Sequence, residues 1–496
     1  LRFGAGGHAL GHTLENASIL CAMQAEQGRG SLTAASETAI AANRDEQAVP
    51  PTVNATSLWR PPLGRLTFGL TLVVVATAFE ALAVATILPV ASRALGGLAL
   101  YGWAFSAFML ANLVGISIGG GESDRIGSAP VFLAGVVSFA GGLVVAGSAA
   151  SMLVLVAGRA LQGFGGGLLS SVAYASIARA YAVELQPRML ATLSSAWVIP
   201  GLVSPALAGL VAEHVGWRWV FFGLVPLPVL SASIVLPALR ALPASAAAPQ
   251  AGGRHWLALQ LGAGAGVALL GLGLHVWAAA LLLLAAGATV AIRALRELLP
   301  AGTFVARAGL PAAIASMALL NFAFFGTEAF LPLALNHVRR APVLLNGTSL
   351  TAAALTWTLG AWLPVRFANR VGRRAIILAG LALLGSAILA SSALLTPRVP
   401  VLCAVPIWAL AGLGMGLAFT TLSAAILEAA APGEAGVASA ALQLAQVLGV
   451  ALATGCGGAI IAAPFAGDPP RLGIGLVDLA MSLALVLALL AARRAA

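Results

Sequence analysis

The chain has 496 residues, of which 60% are hydrophobic and only 8% charged. A soluble domain carries about 25% charged residues, so this composition excludes a soluble fold and implies lipid as the solvent. The formal charge is +10 and all 26 basic residues are Arg, but they fall in short loops between apolar runs rather than in one basic patch, which argues against a nucleic-acid partner.

Residues 1–60 are polar and rich in small side chains, without a sustained apolar period, and read as disordered. No Arg-flanked apolar core precedes a cleavage site, so the segment does not read as a signal peptide. The first Met is Met23, and part of the segment reads as an over-extended gene start. His8 and His12 lie four residues apart there with no further ligand nearby. Cys21, Cys403 and Cys456 form no CxxC pair. No metal site, cofactor motif, P-loop or GxSxG elbow is visible, so nothing in the sequence supports an enzyme.

From Leu66 onward the chain is a train of apolar runs: 66–92, 101–121, 129–149, 152–178, 190–213, 217–239, 256–274, 275–292, 309–335, 344–365, 375–395, 401–427, 436–463 and 473–492. Each is close to the roughly 20 residues that cross a bilayer as helix, the open-ended structure that satisfies its own backbone there. No polar loop divides 256–292. A single helix over that stretch would run about 56 Å, against a hydrocarbon core of about 30 Å, so a hairpin at Gly271, Gly273 and His275 is expected. The count is then fourteen spans, with twelve as the alternative.

Arg placement sets the orientation. The arginines running from Arg60 and Arg65, through Arg125, Arg179 and Arg366 to Arg374, to Arg493 and Arg494 fall on one side. They outnumber Arg93, Arg218, Arg339, Arg340, Arg398 and Arg471 on the other. The positive-inside rule places both termini in the cytoplasm, and the absence of Lys with heavy Ala and Gly use reads as a GC-rich bacterial genome, so the expected location is a bacterial inner membrane.

The chain also repeats itself. Phe79-Glu80-Ala81 in the first run parallels Thr327-Glu328-Ala329 in the ninth. Asp124-Arg125-Ile126-Gly127 parallels Asn369-Arg370-Val371-Gly372. Two similar halves around a midplane site are a common way to build a transporter. The expected organisation is a six-helix bundle over 61–240, a linker with two extra spans over 241–308, and a second six-helix bundle over 309–496.

Four segments carry chemistry. The first is the loop 120–127, Gly-Gly-Glu-Ser-Asp-Arg-Ile-Gly, with its copy around Arg370, Gly372, Arg373 and Arg374. A carboxylate and guanidinium at helix ends can latch a gate, although the positive-inside rule alone would also supply Arg there. The second is Arg159-Ala160-Leu161-Gln162-Gly163-Phe164-Gly165. An Arg inside a span costs at least about 2.5 kcal/mol and needs a partner or water, while the glycines let helices approach closely. The third runs from Pro200 and Gly201 through Ser204 and Pro205 to Gly209, a small, kinkable face. The fourth is the pair Glu80 and Glu328, costly carboxylates that mark a functional site by default.

These segments resemble the major facilitator superfamily, and more narrowly the fourteen-span drug:proton antiporters, over about residue 62 to the C-terminus. The loop matches G-x-x-x-D-R-x-G, although Ser128 and Ala129 replace the usual basic pair and Asn369 replaces the acid of the second copy. The fourth span matches R-x-x-Q-G-x-G. The fifth resembles g-x-x-x-G-P-x-x-G-G, with Pro200, Ser204 and Ala208 in place of glycines.

The resemblance implies proton coupling through Glu80, Arg159 and Glu328. It implies an inner gate at Asp124, Arg125, Gly127, Arg370, Gly372, Arg373 and Arg374, and an antiporter-type fifth span. Asn112, Gln162, Asn321, Gln443 and Gln446 are candidates to line a cavity, although each also reads as a helix–helix hydrogen bond. The expected function is export of a lipophilic small molecule against protons, by a monomer, with uptake on the same fold or a transport-inactive receptor as alternatives. Trp103, Trp217, Trp219 and Trp408 read as interfacial belts, and Asp478 as a residue near the outer headgroups.

Overall fold

The computed structural model describes residues 57–61, 63–182, 184–241, 253–274, 276–429, 435–463 and 470–495. The expected disorder over 1–60, with His8, His12 and Cys21, falls outside them except for residues 57–60. Every regular element among the described residues is helical. The first group is α1 (Leu63–Leu95), α2 (Trp103–Arg125), α3 (Ser128–Gly147), α4 (Met152–Ala180), α5 (Gln186–Ser195), α6 (Val198–His214), α7 (Trp217–Leu224) and α8 (Pro226–Arg240). Two helices follow, α9 (Gly253–Leu272) and α10 (Trp277–Leu298). The last group is α11 (Leu310–Leu333), α12 (Val343–Val371), α13 (Arg373–Ala393), α14 (Ala404–Glu428), α15 (Ala435–Ala462) and α16 (Arg471–Ala495), with a π-helical turn at Ala334–Val338 after α11.

Among the described residues, twelve helical segments are long and apolar enough to cross a membrane. Helices α9 and α12 fall outside that set: the apolar stretch of α9, Trp256–Leu272, is shorter, and in α12 Asn346, Thr348, Ser349, Thr351, Thr356 and Thr358 interrupt the apolar residues. Ser349 and Thr358 donate back to the Leu345 and Ala354 carbonyls, at 2.8 and 3.0 Å, which satisfies the hydroxyls inside the helix. Two expected spans are broken. Pro200 has no N–H for the Ala196 carbonyl, and the fifth span divides at Ala196–Trp197 into α5 and α6. Pro226 starts α8 after Val225 in the same way.

The stretch 256–292 is two antiparallel helices. A Cβ on Gly264 would lie 2.7 Å from the Ala291 nitrogen, and one on Gly271 would lie 2.7 Å from the Leu284 nitrogen, so these glycines are what allow α9 and α10 to touch. Leu261, Ala265 and Leu269 of α9 share one buried cluster with Leu110 and Leu113 of α2 and Leu444, Leu448 and Ala451 of α15. The hairpin therefore lies along the seam between the two bundles.

The bundles meet along three lines: α2 with α15, α6 with α12, and α1 with α11 and α12. The connecting loops define an arginine-rich end, carrying Arg125, Arg240, Arg373 and Arg494, and a far end, carrying Leu95, Trp103, His214 and Val338. Polar contacts between the bundles lie toward the far end. Tyr101 donates to the Ala329 carbonyl at 2.9 Å, and Ser106 to the Ala451 carbonyl at 2.9 Å. Arg93 donates to the Asn336 carbonyl at 3.0 Å, and Asn346 to the Thr86 carbonyl at 3.3 Å.

Candidate functional site

Glu80 lies near the middle of α1 and is fully buried. Arg159 of α4 is 3% exposed and donates from Nη1 to both Glu80 and Gln162. Its Nε donates to the Ala104 carbonyl of α2 at 3.0 Å, and its guanidinium sits 4.3 Å from the centre of the Phe108 ring. One Arg thus ties α1, α2 and α4 together and offsets part of the cost of burying the carboxylate, whose Oε2 has no hydrogen bond among the described residues. The glycines that follow bring the helices close enough: a Cβ on Gly163 would collide with the Phe108 carbonyl, and one on Gly165 would lie 2.6 Å from the Gly135 carbonyl. Ser204 of α6 donates to the Phe79 carbonyl at 2.6 Å, so the fifth span rests on the turn that carries Glu80.

That span turns one small face to α12. Pro200, Gly201, Ser204, Pro205, Ala208 and Gly209 are all buried. Facing them, Gly347 abuts the Pro205 carbonyl closely enough that any Cβ would collide with it. Thr351 donates to the Leu202 carbonyl at 3.4 Å, and the Leu344 amide donates to Glu213 at 3.0 Å.

Glu328 lies in α11 and is half-buried. Four ion pairs are recorded among the described residues, and Glu328 belongs to none of them. Phe324 and Phe325 precede it by one turn. Phe324 stacks on Trp408 of α14 with centroids 5.5 Å apart and planes at 21°, and meets Trp357 of α12 edge-on at 5.4 Å. Trp357 also contacts Phe325 at 6.1 Å and Phe419 at 5.5 Å. Trp408 is fully buried in this cluster and is not a belt residue. Asp478 is likewise buried within the second bundle, accepting from Ser391 at 3.1 Å and Ser392 at 3.0 Å, rather than sitting among headgroups.

The two arginine-rich loops share one backbone device. Gly127 and Gly372 have φ of 92° and 84°, a conformation that favours Gly, and each stands immediately before a helix. Their charges bond within their own halves. Asp124 pairs with Arg179, whose Nη1 also reaches Ser128 at 3.1 Å. Arg125 pairs with Glu122 at 3.3 Å, and Arg373 pairs with Glu428. Arg370 and Arg374 are exposed, and the side chain of Asn369 lies outside the described residues. Of the proposed lining residues, Gln162 and Asn321 are buried, Asn321 donating to the Met317 carbonyl at 2.8 Å. Asn112 is half-exposed and donates to the Gly163 carbonyl at 3.3 Å, and Gln443 and Gln446 are half-exposed.

Sequence reasoning missed Arg179, which looked like one more positive-inside Arg at a helix end. It also missed Phe325, Trp357 and Phe419. The available signal was Trp357 itself, an aromatic at mid-span, far from either interface.

A sequence model described as the Major Facilitator Superfamily matches residues 69–454. A probable multidrug-efflux transporter of Mycobacterium tuberculosis is 28% identical over 396 residues, covering 76% of this chain and 83% of that protein. Among solved structures, the human organic anion transporter MFSD10 aligns with a TM-score of 0.57 at 17% identity, covering 87% of this chain and 100% of that one. A POT family transporter in complex with 5-aminolevulinic acid aligns with a TM-score of 0.62 at 12% identity, covering 86% and 94%. At these identities the structural likeness shows the fold.

Proposed function

The chain belongs to the Major Facilitator Superfamily, a multi-pass membrane transporter of small molecules, and from that membership we propose that it exports lipophilic compounds in exchange for protons. The observation that carries this reading is the unequal state of two carboxylates, one in each bundle. Glu80 is sealed against Arg159, and Glu328 is half-buried and belongs to none of the ion pairs among the described residues. A proton arriving on Glu80 would discharge its pair with Arg159 and loosen the tie among α1, α2 and α4. Glu328 would meet the substrate. The multidrug-efflux naming of the mycobacterial relative and the small-residue fifth span both favour export.

In this reading the arginine-rich end faces the cytoplasm of the bacterial inner membrane, following the positive-inside rule, and the protein works as a monomer. The bundles touch toward the far end, and the charges of the cytoplasmic loops bond within their own halves. That arrangement suits a state open to the cytoplasm and ready to load. Closing the cytoplasmic side would require Asp124 and its neighbours to exchange partners. The fourteen-span layout, with α9 and α10 as a membrane hairpin, belongs to the same proposal.

Inverted vesicles with an imposed proton gradient test the reading. An exporter accumulates the compound inside them, and Glu80→Gln abolishes that accumulation while leaving equilibrium binding measurable. Accumulation by Glu80→Gln equal to the parent would remove Glu80 from the coupling step. Gradient-driven movement in the opposite direction would show uptake.

A further inference from the structure

Two arginines at the far end lie where the positive-inside rule does not ask for them. Arg93 sits in the last turn of α1 in the first bundle, and Arg340 follows the π-helical turn of the second. Both are exposed, and both line one open cleft of about 490 Å³, together with Asn336, His337 and Ala341. That volume falls within the roughly 300–1,000 Å³ of small-molecule sites. Arg93 donates to the Asn336 carbonyl at 3.0 Å, which leaves the other donors of its guanidinium fork. The side chain of Arg340 makes no hydrogen bond or ion pair among the described residues.

Other far-end cations are spent on backbone carbonyls. Arg339 donates to the Leu394 carbonyl at 2.6 Å and the Val399 carbonyl at 2.8 Å, and Arg218 donates to the Ala149 carbonyl at 2.8 Å. Arg340 is instead held out by its backbone. Its φ is 53°, a left-handed conformation that Gly adopts freely and a side chain enters at a cost. The reversal is fixed from both ends: the Ala341 amide donates to the Leu335 carbonyl at 2.9 Å, and the Asn336 side chain donates to the Ala341 carbonyl at 2.7 Å. Asn346 of α12 donates to Asn336 Oδ1 at 2.8 Å and to the Thr86 carbonyl of α1 at 3.3 Å. Two buried Asn side chains therefore shape the loop that carries Arg340 and bind it to the helix that carries Arg93. Glu213, the acid at the end of α6, bonds the Leu344 amide at 3.0 Å and does not line the cleft. The cleft thus brings together one guanidinium from each bundle, with no carboxylate among its described lining residues.

We propose that this cleft binds a phosphate-type oxyanion, gripped by Arg93 from one bundle and Arg340 from the other, and that the bound anion holds the far end closed. Guanidinium forks meet phosphate oxygens through paired, charge-assisted hydrogen bonds. The chemistry recognised is the phosphate group itself, carried by an anionic phospholipid headgroup or free in solution. An anion held from both sides offsets the repulsion between the two cations and adds a tie that any opening of the far end must break. Binding favours the arrangement seen here, in which the bundles are joined at that end, whatever the protein transports.

Full-length protein purified in detergent is titrated at constant ionic strength with dioctanoyl-phosphatidylglycerol, with zwitterionic dioctanoyl-phosphatidylcholine and with inorganic phosphate, and its thermal unfolding midpoint is followed. A saturable rise with phosphatidylglycerol alone assigns the headgroup as the bound species. A rise with inorganic phosphate shows that the bare oxyanion suffices. Arg93→Gln and Arg340→Gly should each raise the half-saturating concentration about tenfold. Arg340→Gly should do so without loss of stability in the absence of anion, since Gly relieves the positive φ. Arg398→Gln, exposed at the same end but outside the cleft, should leave the titration unchanged. Spin labels at Ala99 and Leu402, exposed at the far end of different bundles, should report a shorter and narrower separation with the anion that raises the midpoint. The site is overturned if neither phosphatidylglycerol nor phosphate gives a saturable shift, or if phosphatidylcholine acts as strongly as phosphatidylglycerol. It is also overturned if Arg340→Gly keeps the parent's response, or if Arg398→Gln loses it to the same extent. A separation between the labels that anion leaves unchanged would overturn the tie between the bundles.

Discussion

Glu80 and Arg159 show how a membrane protein carries two charges in its interior: each is the other's partner, and Gln162, the Ala104 carbonyl and the Phe108 ring surround the guanidinium, while Glu80 Oε2 is buried without a hydrogen bond among the described residues. Removing one member leaves the other stranded, which costs about 3–5 kcal/mol when a buried pair is broken. Glu80→Gln should therefore lower the thermal unfolding midpoint in detergent, and Glu80→Gln combined with Arg159→Gln should recover a large part of the loss. A double variant as unstable as the single would show that the pair is not what holds the three helices. Both residues were legible in the sequence because an acid or an Arg inside an apolar run is conspicuous. Their contact was not, because 79 residues separate them and pairing is a property of packing. Asp124 teaches the same lesson. Its motif was plain, yet its partner Arg179 sits at the end of α4, where any loop would carry an Arg. Asp124→Asn should slow turnover without a comparable loss of expression, and the change should be small when Arg179→Gln is already present. Equal effects of Asp124→Asn with and without Arg179 would show that the pair is not the operative contact.

Among elements, α6 does the most with the least side chain. Its small face lets α12 come within van der Waals reach along Gly209, Pro205 and Gly201. Gly347→Val has no room beside the Pro205 carbonyl and should push the two helices apart, raising the accessibility of a Cys placed at His214 to a polar thiol reagent added from the far side. Gly223→Ala is the control, since nothing lies within 4 Å of a Cβ there. Unaltered labelling in Gly347→Val would mean that the far-end closure does not depend on this contact. The sequence showed the small face as a pattern but concealed the break at Ala196–Trp197, because a Pro four residues downstream reads equally well as a kink or as an interruption. Trp357, Trp408 and Phe419 were harder still: an aromatic in an apolar run looks like core, and only the assembled α11, α12 and α14 show which rings keep an exposed edge.

At the scale of the whole molecule, the orientation rests on where the arginines fall. Cys introduced at Arg254 and at Arg293 should both be labelled from the cytoplasmic side only, since α9 leaves and α10 returns to the same end. Labelling from opposite sides would mean that the pair crosses the bilayer once, and the assigned orientation of everything after it would fall. The alternation of apolar runs with Arg-bearing loops gave the helical architecture and its repeat to the eye, because lipid leaves the backbone few choices. The sequence had no means of showing where the hairpin would lie. Leu261, Ala265 and Leu269 press on both α2 and α15, and the line between α6 and α12 carries no such cover among the described residues. The carrier accordingly has a front and a back. Along its back, any parting of the bundles must slide leucine over leucine beneath a fixed strap. Along its front, α6 and α12 pack directly on one another with no covering helix among the described residues, so the two sides of the carrier meet any parting of the bundles with different contacts.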